Sequence, residues 1–395
     1  MLHKHSHYLH FIALKNKELD ALYITVAILE LGAGLISVFI PIYFWKLGIP
    51  LWGIIFFYLL WSIYSVIGTF TILPLIRRLS DKMMMALGIP LLIIFFLLLN
   101  NIESMNLLFF LAPIPYALYS PLFFSGYHIN FSRVSDKGHE GEEIGIGQAI
   151  VAIICFITPF IGGVLIINFG FQVTFLVASI ILLISIIPLF FFPKRRKLTS
   201  PLTAKLLFNT VKDRPMKGFH VGTFGYVTES MISSIIWPIF LFLILGNIEK
   251  LGGIISLGFL LSAAAVFFAG RLSDRGKRNT IFSWTGAGNG IMWFVRTAVR
   301  TVPLAASTHV VGYLFQDVMF YAWANRFYEL IRQKKNKRLF ILGQETLYRA
   351  ARILIYPFMI LLAFFLSPDT FSNPFFIISF IIAALASLLI LVAER

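Results

Sequence analysis

The sequence predicts an all-helical integral membrane protein, with twelve transmembrane helices in two six-helix halves, on three observations. The 395 residues are 58% hydrophobic and 13% charged, with a mean hydropathy of +0.86, whereas soluble domains are roughly 45–50% apolar. The phrase Arg78-Leu79-Ser80-Asp81-Lys82 returns 193 residues later as Arg271-Leu272-Ser273-Asp274-Arg275, each copy after the second apolar run of its half. Each half also opens with a run carrying one glutamate, Glu30 or Glu229, followed by Pro41 or Pro238. Similarity at that period points to repeated halves. The third observation is the sidedness of the basic residues. Of 33 Lys and Arg, only Lys46, Lys250 and Arg300 fall in connections on one side, and only Arg296, Arg349 and Arg352 fall inside spans. The rest lie at the termini and in alternate connections, which the positive-inside rule assigns to the cytoplasm.

Apolar stretches near 20 residues place the first half's helices at 20–44, 51–76, 83–100, 107–127, 144–167 and 173–192. The first run is long and lacks a small-residue cleavage site, so it is expected to stay as an anchor. Residues 1–19 form a cytoplasmic tail in which His3, His5, His7 and His10 suit an extended, solvated segment, weak metal binding being the alternative. The half 20–193 is followed by a cytoplasmic linker, 194–218, which opens with Lys194-Arg195-Arg196-Lys197. Leu202, Leu206, Leu207 and Val211 in it suit an amphipathic helix lying along the membrane surface as a tether. The second half, 219–395, places helices at 219–245, 251–271, 279–299, 302–325, 343–366 and 371–393. Its span 279–299 is interrupted by Gly286, Gly288, Asn289 and Gly290.

The formal net charge of +15 is accounted for by topology and anionic lipid head groups, which leaves no case for nucleic acid. The single Cys155 excludes an internal disulfide and reads as a buried structural thiol. No phosphate-cradling loop, no metal-ligand spacing within the spans and no nucleophile-base pair occurs, so neither an ATP-driven pump, a metal or cofactor site, nor an enzyme is expected.

An ionised group near the bilayer centre costs about 2.5–3.5 kcal/mol on insertion scales, so each is a functional candidate. Glu30, Glu229, Asp317, Arg349 and Arg352 qualify by depth. Glu345, Arg349, Arg352 and Tyr356 are spaced 4, 3 and 4 and share one helix face. Matching polar stripes run through Tyr23, Glu30, Gly34, Ser37 and Pro41; Tyr116, Ser120 and Tyr127; Tyr226, Glu229, Ser230, Ser233 and Trp237; and His309, Tyr313 and Gln316, with Asp317 at the edge. Two readings compete. In one, Asp317 pairs with Arg349 or Arg352 and fixes packing. In the other, the arginines attract an anionic or polar solute, while a glutamate out of water, Glu229 before Glu30, carries a proton. His128 and His220 at span ends, and Arg296 and Arg300 near the outer end, read as interfacial or snorkelling groups.

Twelve spans, cytoplasmic termini, a long central loop and the repeated loop phrase together resemble the major facilitator superfamily of secondary transporters. Its loop motif reads roughly Gly-x-x-x-Asp-Arg-x-Gly-Arg-Arg. The second half offers Gly270, Asp274, Arg275, Gly276, Lys277 and Arg278, one residue short. The first keeps Asp81 and Lys82, with Arg77 in place of the first glycine and Met83, Met84 and Met85 near the second. Thr158-Pro159-Phe160-Ile161-Gly162-Gly163 resembles the tail of the Gly-Pro-x-x-Gly-Gly motif associated with antiporters there, and plain packing through Pro159, Gly162 and Gly163 explains it equally well. The resemblance implies that spans 1, 4, 7 and 10 line a central cavity, and that the loop acids gate the cytoplasmic side. Asp81 is expected to accept from a helix N-terminus of the other half, with nearby cations pairing with Glu140, Glu142 or Glu143.

The expectation is a monomeric, multi-pass transporter of the cell (cytoplasmic/inner) membrane. It moves a small organic solute by alternating access with proton coupling. Export is slightly favoured, and nutrient or organic-anion uptake is the alternative. The rival of another class is a non-transporting membrane receptor or scaffold.

Overall fold

The computed structural model describes residues 17–76, 78–134, 140–191, 203–211, 217–272, 278–334 and 336–394. In order, the helices are α1 (Lys17–Gly34), α2 (Ile40–Lys46), α3 (Leu51–Ile76), α4 (Asp81–Leu99), α5 (Leu107–Leu111), α6 (Pro113–Val134), α7 (Glu140–Ile184), α8 (Ala204–Val211), α9 (Lys217–Met231), α10 (Trp237–Leu245), α11 (Ile248–Leu272), α12 (Arg278–Arg296), α13 (Val302–Gln333), α14 (Lys337–Leu366) and α15 (Pro374–Ile390). Nine stretches among the described residues are long and apolar enough to cross a membrane. One of them, Ile150–Phe191, has 42 residues, which would reach about 63 Å as a straight helix, twice the roughly 30 Å hydrocarbon core. It folds back at Gly170, whose φ of 82° is open to a residue without a Cβ, and so makes two crossings. The more polar α12 and α13 bring the crossings to twelve.

Local sequence explains the interruptions. Span 1 is α1 and α2 joined by a single 3₁₀ turn at Ser37–Phe39, with proline in the first turn of α2, where its missing N–H costs nothing. Span 4 is α5 and α6, and span 7 is α9 and α10 joined by a π turn at Ile232–Ile236. The interrupted span 279–299 is one continuous helix. Its glycines admit neighbours, since a Cβ at Gly290 would stand 3.3 Å from the Ala384 carbonyl.

The two halves meet along two seams and at both ends. Spans 5 and 8 approach backbone to backbone, with Gly252 over the Pro159 carbonyl and Gly163 over that of Ile248, while the Phe160 N–H donates to Ser256 Oγ at 3.1 Å. Gly162 packs on the Leu35 backbone of span 1. Small residues give this closeness in the membrane, where lipid supplies no hydrophobic drive between helices. Spans 2 and 11 form the other seam. At the sparsely charged face Trp52 meets Phe364, ring centres 6.1 Å apart, and Lys46 lies over Phe242. At the basic face His128 meets Phe327 at 5.8 Å.

The linker segment departs from the expected surface tether. Leu202 lies outside the described residues, but α8 turns Leu207 inward to 1% exposure. There it joins a buried cluster with Leu73, Ile76, Leu79 and Met84 of the first half and Leu339 and Leu342 of the second. An apolar side chain beside the open edge of the seam gains more from that cleft than from the interface plane.

Candidate functional site

Span 11 carries its charged face into the seam between the halves. Arg349 is 4% exposed and pairs with Glu345 at 2.9 Å one turn away, and it donates to Ser120 Oγ of span 4 at 2.6 Å. One more turn on, Arg352 is partly accessible, and its guanidinium lies 5.0 Å from the Trp61 ring of span 2. Neither arginine pairs with Asp317, contrary to the packing expectation. Asp317 instead accepts a hydrogen bond from Ser262 of span 8, and Arg349 is paired with Glu345 of its own helix. Tyr356 closes the face, 1% exposed.

Opposite stands Glu30 of span 1. It is partly accessible and has no hydrogen-bond or ion-pair partner within the described residues. Tyr116 sits edge-on to Trp61 at 4.8 Å, within Coulombic reach of Arg352, Glu30 and Arg349. Cys155 of span 5 feels both Glu30 and Asp317 and is partly accessible rather than buried, because α7 turns it toward these groups. Glu30, Tyr116, Arg349 and Arg352 thus lie near one another between the halves, with Asp317 reached from Glu30 by way of Cys155.

Three predicted residues turn elsewhere. Glu229 is 0% exposed and points into the second half, where Trp293 Nε1–H and Asn289 Nδ2–H donate to its Oε1 at 2.8 and 3.2 Å. Trp237 and His309 are each 1% exposed, and the Trp237 Nε1–H donates to His309 Nδ1 at 2.9 Å. Between the two indoles lies Arg296, its guanidinium 4.2 Å from Trp237 and 4.1 Å from Trp293, donating to the Thr308 carbonyl at 3.3 Å. The expectation that Arg296 snorkels is therefore corrected, since it is 1% exposed. Two desolvated cation–π faces, each worth up to about 2 kcal/mol, replace the water it gives up. The π turn makes this possible. Eight residues of uninterrupted α-helix would put Glu229 and Trp237 about 80° apart, and the wider turn brings both onto α12. Tyr226 and Gln316 remain partly accessible, and the Gln316 amide nitrogen donates to Ser233 Oγ at 3.0 Å.

At the basic face, Arg133 at the end of span 4 binds both Asp81 and Glu18, the latter at 3.1 Å. Asp81 therefore serves its own half rather than a helix N-terminus across the seam. The N-terminus of α14 is capped by its own Asn336, which accepts from the Leu339 N–H at 3.1 Å. Lys82 lies over the Phe190 ring at 5.6 Å. Gly270 is helical within α11 and Arg278 opens α12. Asp274, Arg275, Gly276 and Lys277 lie outside the described residues, as do the histidine tail and the side chains of Glu140, Glu142 and Glu143.

Sequence reasoning missed Trp61, Ser262, Arg133 and the α12 triad. The triad carried a signal, since Asn289, Trp293 and Arg296 follow the same 4, 3 spacing that grouped the face of span 11. Trp61 carried none, because an aromatic in an apolar helix is unremarkable until its neighbour is known.

The sequence model of the Major Facilitator Superfamily matches residues 22–220. The Escherichia coli fucose:proton symporter superposes with a TM-score of 0.66 at 12% identity, over 95% of this chain and 97% of its own. The human organic anion transporter MFSD10 does so with a TM-score of 0.66 at 11% identity, over 95% and 99%. At these identities the likeness is one of fold. No curated protein sequence is significantly similar to the chain.

Proposed function

The chain belongs to the Major Facilitator Superfamily, and from that premise we propose that it is a proton-coupled secondary transporter of a small organic solute, with Glu30 as the coupling carboxyl. The observation that carries this reading is that Glu30 is membrane-embedded, reachable and without a partner, whereas Glu229 is sealed and doubly bonded. A coupling group must gain and lose a proton from the cavity, which the partly accessible Glu30 can do more readily than the sealed Glu229. Sequence alone ranked Glu229 first. The burial and bonding of Glu229 support placing Glu30 ahead of it, with Asp317, held by Ser262, as the second candidate.

The halves 20–193 and 219–395 rock about the shared interior, with 194–218 joining them. Opening to one side breaks the Trp52–Phe364 and Lys46–Phe242 contacts, and opening to the other breaks His128–Phe327. Substrate and proton act by binding these states unequally. The charge asymmetry supports cytoplasmic termini in a cell membrane, and the fold supports action as a monomer. Proton coupling is named for the fucose:proton symporter and an organic solute for MFSD10, which supports the class of mechanism. Export remains the slightly favoured direction through the Pro159-to-Gly163 stretch, although the seam contacts of Gly162 and Gly163 serve packing in either direction.

Glu30→Gln tests the assignment. The expected result is loss of gradient-driven accumulation with solute exchange retained. Unchanged accumulation would remove Glu30 from the mechanism, and absence of flux for every solute in the native protein would favour a receptor or scaffold.

A further inference from the structure

We propose that the transported solute is an organic monoanion with a flat apolar body, and that Arg352 and Trp61 form the clamp for its anionic group. This rests on the transporter reading and names its substrate class. The three arginines inside the spans differ in what they lack. Arg296 has two indole faces and a carbonyl, which leave its Nε and one Nη without an acceptor, and Arg349 has Glu345 and Ser120. Among the described residues Arg352 has neither an acidic nor a hydrogen-bonded partner. Its Nε is buried without an acceptor, and so is the Nε1 of Trp61 beneath it.

Two buried N–H donors on stacked side chains, one from each half, call for an acceptor. Water would satisfy the donors but leave the cation's charge uncompensated. A carboxylate satisfies both, having two oxygens with about four lone-pair sites and the planar geometry that a guanidinium matches. The surroundings set the rest of the molecule. Trp61 is flanked by Tyr58 at 6.2 Å and Tyr116 at 4.8 Å, faces that suit a flat ring. A second negative charge would meet Glu30, which shares the reach of Tyr116 with Arg352, and a cationic solute would meet Arg352 itself. Because Trp61 belongs to the first half and Arg352 to the second, an anion held by both draws spans 2 and 11 together, and binding is coupled to closure of the seam.

The test is ligand-dependent melting and equilibrium binding of the full-length protein with benzoate, phenylacetate and 2-naphthoate, beside benzyl alcohol and benzylammonium. At least one carboxylate should raise the melting temperature while the alcohol and the amine do not. Arg352→Gln should weaken that carboxylate about tenfold or more, the equivalent of one charge-assisted hydrogen bond. Two gentler variants guard against misfolding. Arg352→Lys keeps the charge but loses the planar fork, Trp61→Phe keeps the ring but loses the N–H, and each should weaken it severalfold. Equal stabilisation by the alcohol or amine, no stabilisation by any carboxylate, or unchanged affinity in Arg352→Lys and Trp61→Phe would overturn the clamp. Arg352-dependent binding without proton-coupled flux would leave the clamp standing and overturn the coupling reading instead.

Discussion

Arg296 illustrates what a cation inside a helix bundle needs. Its charge is spread between two indoles, one of which also donates to Glu229, so the cation and the carboxylate are linked through Trp293 without touching. Removing one end leaves the other uncompensated, which for buried charges costs about 3–5 kcal/mol. Arg296→Ala should therefore lower the melting temperature more than the double variant Arg296→Ala with Glu229→Gln, and strictly additive effects in that cycle would contradict the link. Trp293→Phe, which keeps the ring and loses the N–H, should cost about 1.5–3 kcal/mol in the same melting assay. At this scale the sequence was only partly legible. Spacing grouped Glu345, Arg349, Arg352 and Tyr356 correctly on one face. It could not say that Arg349 is satisfied and Arg352 is not, because that depends on Ser120 and Trp61, which are distant in the chain.

Elements carry the geometry that single residues cannot. The seam of spans 5 and 8 depends on backbones in contact, so Gly252→Ala, whose Cβ would meet the Pro159 carbonyl, should destabilise by about 1–3 kcal/mol. The adjacent Gly253 has only the Phe160 ring at 3.9 Å, and Gly253→Ala should be neutral in the same measurement. Helix α8 makes a second prediction. Its Leu207 fills the cleft where the basic ends of the halves meet, so Leu207→Ser should loosen that end. The single Cys155, half-accessible in the interior, is a native reporter. Its labelling by an impermeant maleimide applied to the basic face should accelerate in the variant, and an unchanged rate would show that α8 does not hold the cleft. The amphipathic pattern of this helix was legible in Leu206 and Leu207. What it packs against was not, because a membrane surface and an apolar cleft ask for the same spacing. The π turn of span 7 was invisible for a related reason, since no composition marks Ile232–Ile236 as wider than its neighbours.

For the whole molecule, apolar run length gave the twelve crossings, even where Gly286 to Gly290 or the polar face of α13 weakened the signal, because the two halves repeat the same order of elements. The rotation of each helix about its axis is set by packing, and it decided that Glu30 opens to the shared interior while Glu229 does not. On the proposed reading, Glu30 is the group through which a proton gradient drives the solute. Internal pH in proteoliposomes, followed while solutes are added to native, Glu30→Gln and Glu229→Gln protein, tests this most directly. A solute-dependent pH change that is lost in Glu30→Gln and kept in folded Glu229→Gln is the predicted result. A change that persists in Glu30→Gln, or that disappears only in Glu229→Gln, would contradict it.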